Sequence, residues 1–221
     1  MPSQLEQDLI QLLHTYEAEL GNVFPFDLNT PKLLVFDLSD QNNELKQMDF
    51  THETSFSEYV SNKMAEAHTP VAIGKYNEDR IIYRQSENFQ GVEARSIHLG
   101  IDLWATAGTY IFSPLDGIVH SFADNKGFGN YGPTLILQHF LDDVTFYTLY
   151  GHLDHASLTH LQAGKAIQKG ETIGALGTQQ ENGGWPPHLH FQICSTILEI
   201  SLELLPPARE ITISGFVQIL T

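Results

Sequence analysis

The chain has 221 residues, 42% hydrophobic and 17% charged, which is enough for one large or two small domains with a buried core. Its 11 Lys and Arg face 27 Asp and Glu, a net charge of −16 with histidines neutral, and this excludes binding nucleic acid or an anionic membrane through a general basic surface. The single cysteine, Cys194, excludes an internal disulfide and a cysteine-rich zinc knuckle, so any metal site must draw on carboxylates and the 11 histidines.

No apolar run reaches the ~18 residues of a membrane-spanning helix. Met1-Pro2-Ser3-Gln4-Leu5-Glu6 carries neither a basic region nor an apolar stretch of signal-peptide type. As written, the chain is expected to stay where it is made, in the cytoplasm, with export by another route left open.

In chain order, Leu5, Leu9, Leu12, Leu13, Tyr16 and Leu20 recur at helical spacing after a capping-box Ser3-x-x-Glu6, predicting an amphipathic helix over Ser3–Leu20 ended by Gly21. Lys32–Leu38 reads as a strand. Ser55-x-x-Glu58 repeats the capping-box pattern and predicts a second helix to about Ala67. Val71–Lys75 and Arg80–Tyr83 are expected to form a hairpin around Asn77-Glu78-Asp79. This first third shows no cluster of chemical character. From about Glu87, glycines become frequent and short strands alternate with turns, as in an all-β sandwich or barrel. The predicted strands are Gly100–Trp104, Tyr110–Phe112, Gly117–Phe122, Thr134–His139, Val144–Tyr150, Ala166–Gln168, Thr172–Leu176 and Leu189–Ile193. In the apolar tail, 194–221, Ile211–Ile213 and Phe216–Leu220 are candidate strands without a place in the fold. Trp104 and the Phe146-Tyr147 stripe are expected in the core. His139, His155 and His160 are expected to be structural or exposed.

Near the end of the chain, Trp185-Pro186-Pro187 leads into His188-Leu189-His190-Phe191. On a strand the two histidines share one face, while Leu189 and Phe191 take the other. Upstream, Ser96 to Leu103 alternates in the same way, with His98, Gly100 and Asp102 on one face. Fully extended, four residues span roughly 13 Å, too far for His98 and Asp102 to reach one ion, so the segment must bend at Gly100. His98, Asp102 and a histidine of the later pair would make a two-histidine, one-carboxylate set that suits four-coordinate zinc with one open position. Spacing leaves open which of His188 and His190 is the ligand, or whether both are. His152, just past an apolar strand, is a candidate base or oxyanion stabiliser.

His98-Leu99-Gly100-Ile101-Asp102, Ser113-Pro114-Leu115-Asp116-Gly117-Ile118-Val119, Tyr150-Gly151-His152-Leu153, Gly164 through Gly177 and His188-Leu189-His190-Phe191 occur in an order that resembles the lysostaphin-type (LytM-like) zinc peptidoglycan endopeptidases. The resemblance covers about residues 95–193. It implies a mainly β fold, α+β overall: a compact antiparallel sandwich or barrel-like core of duplicated-hybrid-motif type over 87–193. An α/β extension, 1–86, would precede this core and the tail, 194–221, would follow it. It further implies that His98, Asp102 and His190 hold one zinc ion, that His152 and His188 are the unligated catalytic histidines, and that peptide or peptidoglycan bridges are the substrate. Trp185, in the loop before the pair, and Tyr150, two residues before His152, are expected to contact that substrate. Glu181-Asn182-Gly183-Gly184-Trp185-Pro186-Pro187 departs from the family's shorter lead into the pair, which points to a different specificity.

Two further readings compete. The Asp116-Gly117 and Lys169-Gly170-Glu171 hairpins resemble those of biotinyl, lipoyl and sugar-phosphotransferase carriers, but a carrier lysine beside Met or Asp is missing and a phosphocarrier gives Asp102 no role. A metal-holding wall-binding or regulatory module without turnover is the other, its site plugged by the N-terminal third.

Overall fold

Short runs of β-branched and aromatic residues, punctuated by turns, give the chain a sheet-dominated architecture. A computed structural model describes residues 4–28, 33–50, 54–85 and 97–196. The elements in order are α1 (Gln4–Thr15), β1 (Leu34–Phe36), α2 (Asn43–Lys46), α3 (Ser55–Glu66), β2 (Ala72–Gly74), β3 (Glu78–Asp79), β4 (Ile97–His98), β5 (Ile101–Trp104), β6 (Tyr110–Phe112), β7 (Gly117–Asn125), β8 (Gly132–Leu141), β9 (Val144–Gly151), α4 (His155–Leu158), β10 (Ala166–Ile167), β11 (Thr172–Ala175) and β12 (His188–Cys194). Short 3-10 turns cover Glu17–Glu19 and Ile81–Gln85.

Eight strands form the main sheet in the order β1-β2-β5-β12-β9-β8-β7-β10, with β6–β11 and β3–β4 as two-stranded satellites. The β1–β2 pair is parallel and the other pairs of the main sheet are antiparallel. The mainly β expectation holds. The main sheet is open, with edges at β1 and β10, rather than closed as a barrel.

Two apolar layers flank the sheet because its strands alternate. Leu9 and Leu13 of α1 join Ile73, Ile101, Leu103, Leu189, Phe191 and Ile193 in one core. On the opposite face Phe36, Ala72 and Trp104 pack with Leu45 of α2 and with Phe56 and Val60 of α3. Residues from the first third therefore supply two strands of the main sheet and both covering helical layers.

The strands expected from Gly100 onward are all present, with ends shifted by a few residues. The first third departs more. The N-terminal helix stops at Thr15 and continues only as a 3-10 turn, and the Gly21 amide is instead tied to the Pro114 carbonyl at 2.8 Å. At the start of α3, Thr54 occupies the N-cap and makes no side-chain capping bond, so the Ser55–Glu58 box does not form. Val71–Lys75 and Arg80–Tyr83 do not pair as a hairpin. β2 inserts between β1 and β5, where long-range pairing outweighs the local turn, and Arg80 leads into a 3-10 turn. The candidate strands Ile211–Ile213 and Phe216–Leu220 and the capping residue Ser3 lie outside the described residues.

Candidate metal centre

Strand register assembles the site. Antiparallel pairing sets Asp102 of β5 opposite His190 of β12 and Trp104 opposite His188. The same row continues to Gly151 on β9 and to Gly74 on β2. His98 arrives from β4, in a different two-stranded sheet, because the chain turns at Leu99-Gly100 between β4 and β5. That turn is the bend required to bring His98 back beside Asp102. It also needs glycine for space, since a Cβ on Gly100 would lie 2.5 Å from His190 Cε1 and 2.8 Å from the Phe191 carbonyl oxygen.

Three donor atoms converge. His98 Nε2 lies 3.1 Å from Asp102 Oδ1 and 2.9 Å from His190 Nδ1, and His190 Nδ1 lies 3.2 Å from Asp102 Oδ1. His98 Nδ1 faces the Lys75 carbonyl at 3.0 Å, so its proton sits there and Nε2 carries a lone pair. His190 Nε2 makes a longer contact of 3.4 Å to Gln192 Oε1, which leaves Nδ1 as the lone-pair nitrogen. In these tautomers two imidazole lone pairs and a carboxylate oxygen face one another, an arrangement that a cation placed among them would satisfy. Around a tetrahedral ion bound at about 2.0–2.1 Å, neighbouring ligand atoms lie about 3.3 Å apart, close to the observed edges. Among the described residues, His98, Asp102 and His190 are the group able to hold a metal ion, and all three are buried.

The electrostatics favour the ligand forms. Burial, reinforced by the positive charge of Arg80, pushes His98 down to about 3, so the ring is neutral at physiological pH. Burial works against an ionised Asp102, but the facing His98 ring and the Arg80 guanidinium hold its carboxyl well below the usual carboxylate range. Arg80 Nη1 donates to Asp102 Oδ2, and Arg80 Nε donates to Glu78 Oε2 at 3.3 Å. Arg80, only 2% exposed, is the chief residue that the sequence reading missed. The first third does carry chemistry, contrary to expectation. The available signal was a Glu78-x-Arg80 pair of opposite charges in a chain poor in cations.

His152 and His188 lie alongside, their ring centroids 4.2 Å apart. His152 Nδ1 donates to the Asn182 carbonyl at 2.9 Å and His188 Nδ1 to the Pro186 carbonyl at 2.7 Å, so both rings present Nε2 as a base. His188 Nε2 stands 3.7 Å from Asp102 Oδ1, outside hydrogen-bond range. Burial lowers the pKa of both, that of His152 furthest, so each is neutral near pH 7. The Trp104 ring stacks on His188 at 5.3 Å.

Of the two residues expected at the substrate, Trp185 is half-buried beside Tyr83, with centroids 6.2 Å apart, in the loop that ends at His188. Tyr150 is placed differently. It is fully buried in the main core, its ring against Phe191 and its hydroxyl bonded to Thr148, because its position on β9 faces away from the histidines. The half-buried aromatic at the site is Tyr131, with centroids 5.1 Å from His190 and 5.7 Å from His152, and it also takes the His152 amide on its carbonyl oxygen. No sequence spacing marks it, since it precedes β8 and reaches the site only through the pairing of β8 with β9. His139 is buried and held between the Asp116 carbonyl and Thr148, a structural role as expected.

Residues 96–200 match the model of peptidase family M23. Peptidoglycan DD-endopeptidase ShyC of Vibrio cholerae is 34% identical over 95 residues, which is 43% of this chain and 19% of that protein. An uncharacterized metalloprotease of Haemophilus influenzae is 33% identical over 95 residues, again 43% of this chain but 18% of its own length. The chain thus spans about a fifth of the length of these relatives. A zinc-containing peptidase of Vibrio cholerae overlaps 48% of this chain and 29% of its own, with 26% identity and a TM-score of 0.38. Over residues 96–200 the chain is thus similar to peptidase family M23, the stretch that holds His98, Asp102, His152, His188 and His190.

Proposed function

We propose that this chain is a zinc-dependent metalloendopeptidase that cuts peptide bonds in peptidoglycan cross-bridges or related glycyl and D-amino-acid peptides. The observation that carries this reading is the triangle of His98 Nε2, Asp102 Oδ1 and His190 Nδ1, with edges of 2.9 to 3.2 Å and lone pairs turned inward. One zinc ion per chain, held by these three residues, would activate a water and polarise the scissile carbonyl.

The chain's own groups supply the rest. His152 and His188 are fixed by their Nδ1–H bonds, so that each presents a neutral Nε2 able to accept a proton from the attacking water and return it to the leaving amine. Once protonated, the same nitrogen would donate to a developing oxyanion, and losing one such donor costs about 10²–10³ in kcat. Tyr131 borders His152 and His190, and Trp185 lies beside Tyr83 in the loop that leads to His188; both would serve as aromatic walls for the peptide. The activity named for ShyC supports a cell-wall peptide as the substrate class.

The test is hydrolysis of cross-bridge peptides by the zinc-loaded chain, repeated after EDTA and with His190→Ala. Cleavage abolished by both treatments supports the reading. Cleavage that survives both overturns it.

The burial of the site favours one second reading. His98, Asp102, His152, His188 and His190 are each at most 4% exposed, which suits a metal-holding, peptide-binding module without turnover. It expects the peptides to bind the zinc-loaded chain and remain uncut.

A further inference from the structure

The metal triangle is built by residues 96–200, but its supports come from outside that match. His98 Nδ1 is satisfied by the Lys75 carbonyl at 3.0 Å. Asp102 Oδ2 is satisfied by Arg80 Nη1. Arg80 is itself oriented by three neighbours. Glu78 Oε2 accepts from Nε at 3.3 Å, the Tyr83 hydroxyl lies 3.3 Å from Nη1, and the Trp104 ring lies 5.9 Å from the guanidinium carbon. Glu78 is anchored in turn, its Oε1 accepting the Leu38 amide at 3.0 Å. The guanidinium fits because Gly74 has no side chain: a Cβ there would come within 2.7 Å of Arg80 Nη2 and 2.6 Å of the Trp104 ring. This stack of close contacts has one geometric outcome. Asp102 is clamped through Oδ2, and Oδ1 alone faces the two imidazole nitrogens.

We infer that Arg80 is a positioning residue of the metal centre, holding Asp102 to a single-oxygen ligand and so keeping a coordination position open beside His152 and His188. The inference rests on the zinc reading above. A free carboxylate next to a divalent ion can offer both oxygens, and the second would take the place a water or substrate carbonyl needs. The charged Nη1–H of Arg80 occupies the outer oxygen, and Nε on Glu78 keeps the guanidinium in place, which opposes this second contact. Partners of this kind typically set metal affinity by 10- to 100-fold. Segment 74–83 is then part of the site, and the family-matched residues alone leave Asp102 without its clamp.

The test uses the metal-free full-length chain, titrated with Zn²⁺ against a chromogenic chelator and melted with and without Zn²⁺. Visible spectra of the Co²⁺-loaded protein report coordination number. Arg80→Gln is expected to weaken Zn²⁺ binding about 10- to 100-fold, to shrink the zinc-induced rise in Tm, and to lower the Co²⁺ absorptivity toward that of a five-coordinate ion. Arg80→Lys keeps the charge but not the two fixed N–H groups that span Asp102 and Glu78, and is expected to recover only part of the affinity. Leu45→Ala, a buried truncation in the same N-terminal layer without contact to Asp102, controls for fold loosening and is expected to lower both melting temperatures while leaving affinity unchanged. Arg80→Gln binding Zn²⁺ within about two-fold of wild type, or Leu45→Ala weakening it equally, overturns the positioning role and leaves the zinc reading intact. A wild-type chain that binds no Zn²⁺ overturns both.

Discussion

The two faces of β5 and β12 differ more than any two separate elements of the molecule. On one face Ile101, Leu103, Leu189 and Phe191 merge into the main apolar core. On the other, one residue away along the same strands, Asp102, His188 and His190 form a buried polar surface beside Trp104. Both faces are dry. The first is held by area removed from water, worth about 25 cal/mol per Å², and tolerates trimming in proportion. The second is held by complementary partners, and burying its charges costs energy unless each is matched. A strand pair can therefore carry stability on one side and chemistry on the other, provided a second layer closes over the chemistry. Here α2, α3 and the segment around Arg80 form that layer.

The largest break in this contrast is Asp102→Ala. It removes one donor of the proposed metal triangle and strands the buried Arg80, so tight Zn²⁺ binding should vanish and stability should fall by about 3–5 kcal/mol, measured by chelator competition and urea unfolding. Leu103→Ala, on the opposite face of the same strand, should cost a comparable ~2–5 kcal/mol yet leave Zn²⁺ affinity of the folded fraction unchanged. If Leu103→Ala impairs binding as severely as Asp102→Ala, the two faces are not separable. Gly100→Ala is smaller and more selective. Its new methyl collides with the His190 ring, so Zn²⁺ affinity should drop about ten-fold or more for a stability cost of about 1–3 kcal/mol.

The pH dependence of the metal-free protein sharpens the contrast further. Folding lowers the pKa of His98, His152 and His188 below that of an unfolded histidine, about 6.5. The unfolded chain then binds more protons below that value. Their contribution to stability is complete above about pH 6.5 and is lost as pH falls, for His98 down to about 3. Thermal melts should show Tm falling from pH 7 to 4. His139, also buried and lowered but remote from the metal row, adds to the same trend, and His139→Gln should flatten the slope. A Tm that rises on acidification contradicts the buried neutral histidines.

Much of the site was legible because strand alternation is a local property. His-x-His in β12 and the His98-to-Asp102 spacing fix faces and demand the bend at Gly100, and the fold supplies both. The residues that escaped depend on register between distant segments. Arg80 lies 22 positions from Asp102 and meets it only because β2 docks on β5, a pairing that no local pattern in the first third announces. Tyr150 was misplaced for a related reason. Proximity in sequence to His152 suggested a shared site, since residues two apart on a strand share a face, but β9 ends at Gly151 and the positive φ of 65° at His152 re-aims the chain there. Tyr131 takes the place expected of Tyr150.

A cation held by His98, Asp102 and His190 is the centre of the proposed chemistry. Titration of the metal-free full-length chain with Zn²⁺ tests it most directly. One tightly bound ion per chain, lost in His98→Ala, is the predicted result. A wild-type chain that takes up no Zn²⁺, or a His98→Ala chain that binds it undiminished, contradicts the account.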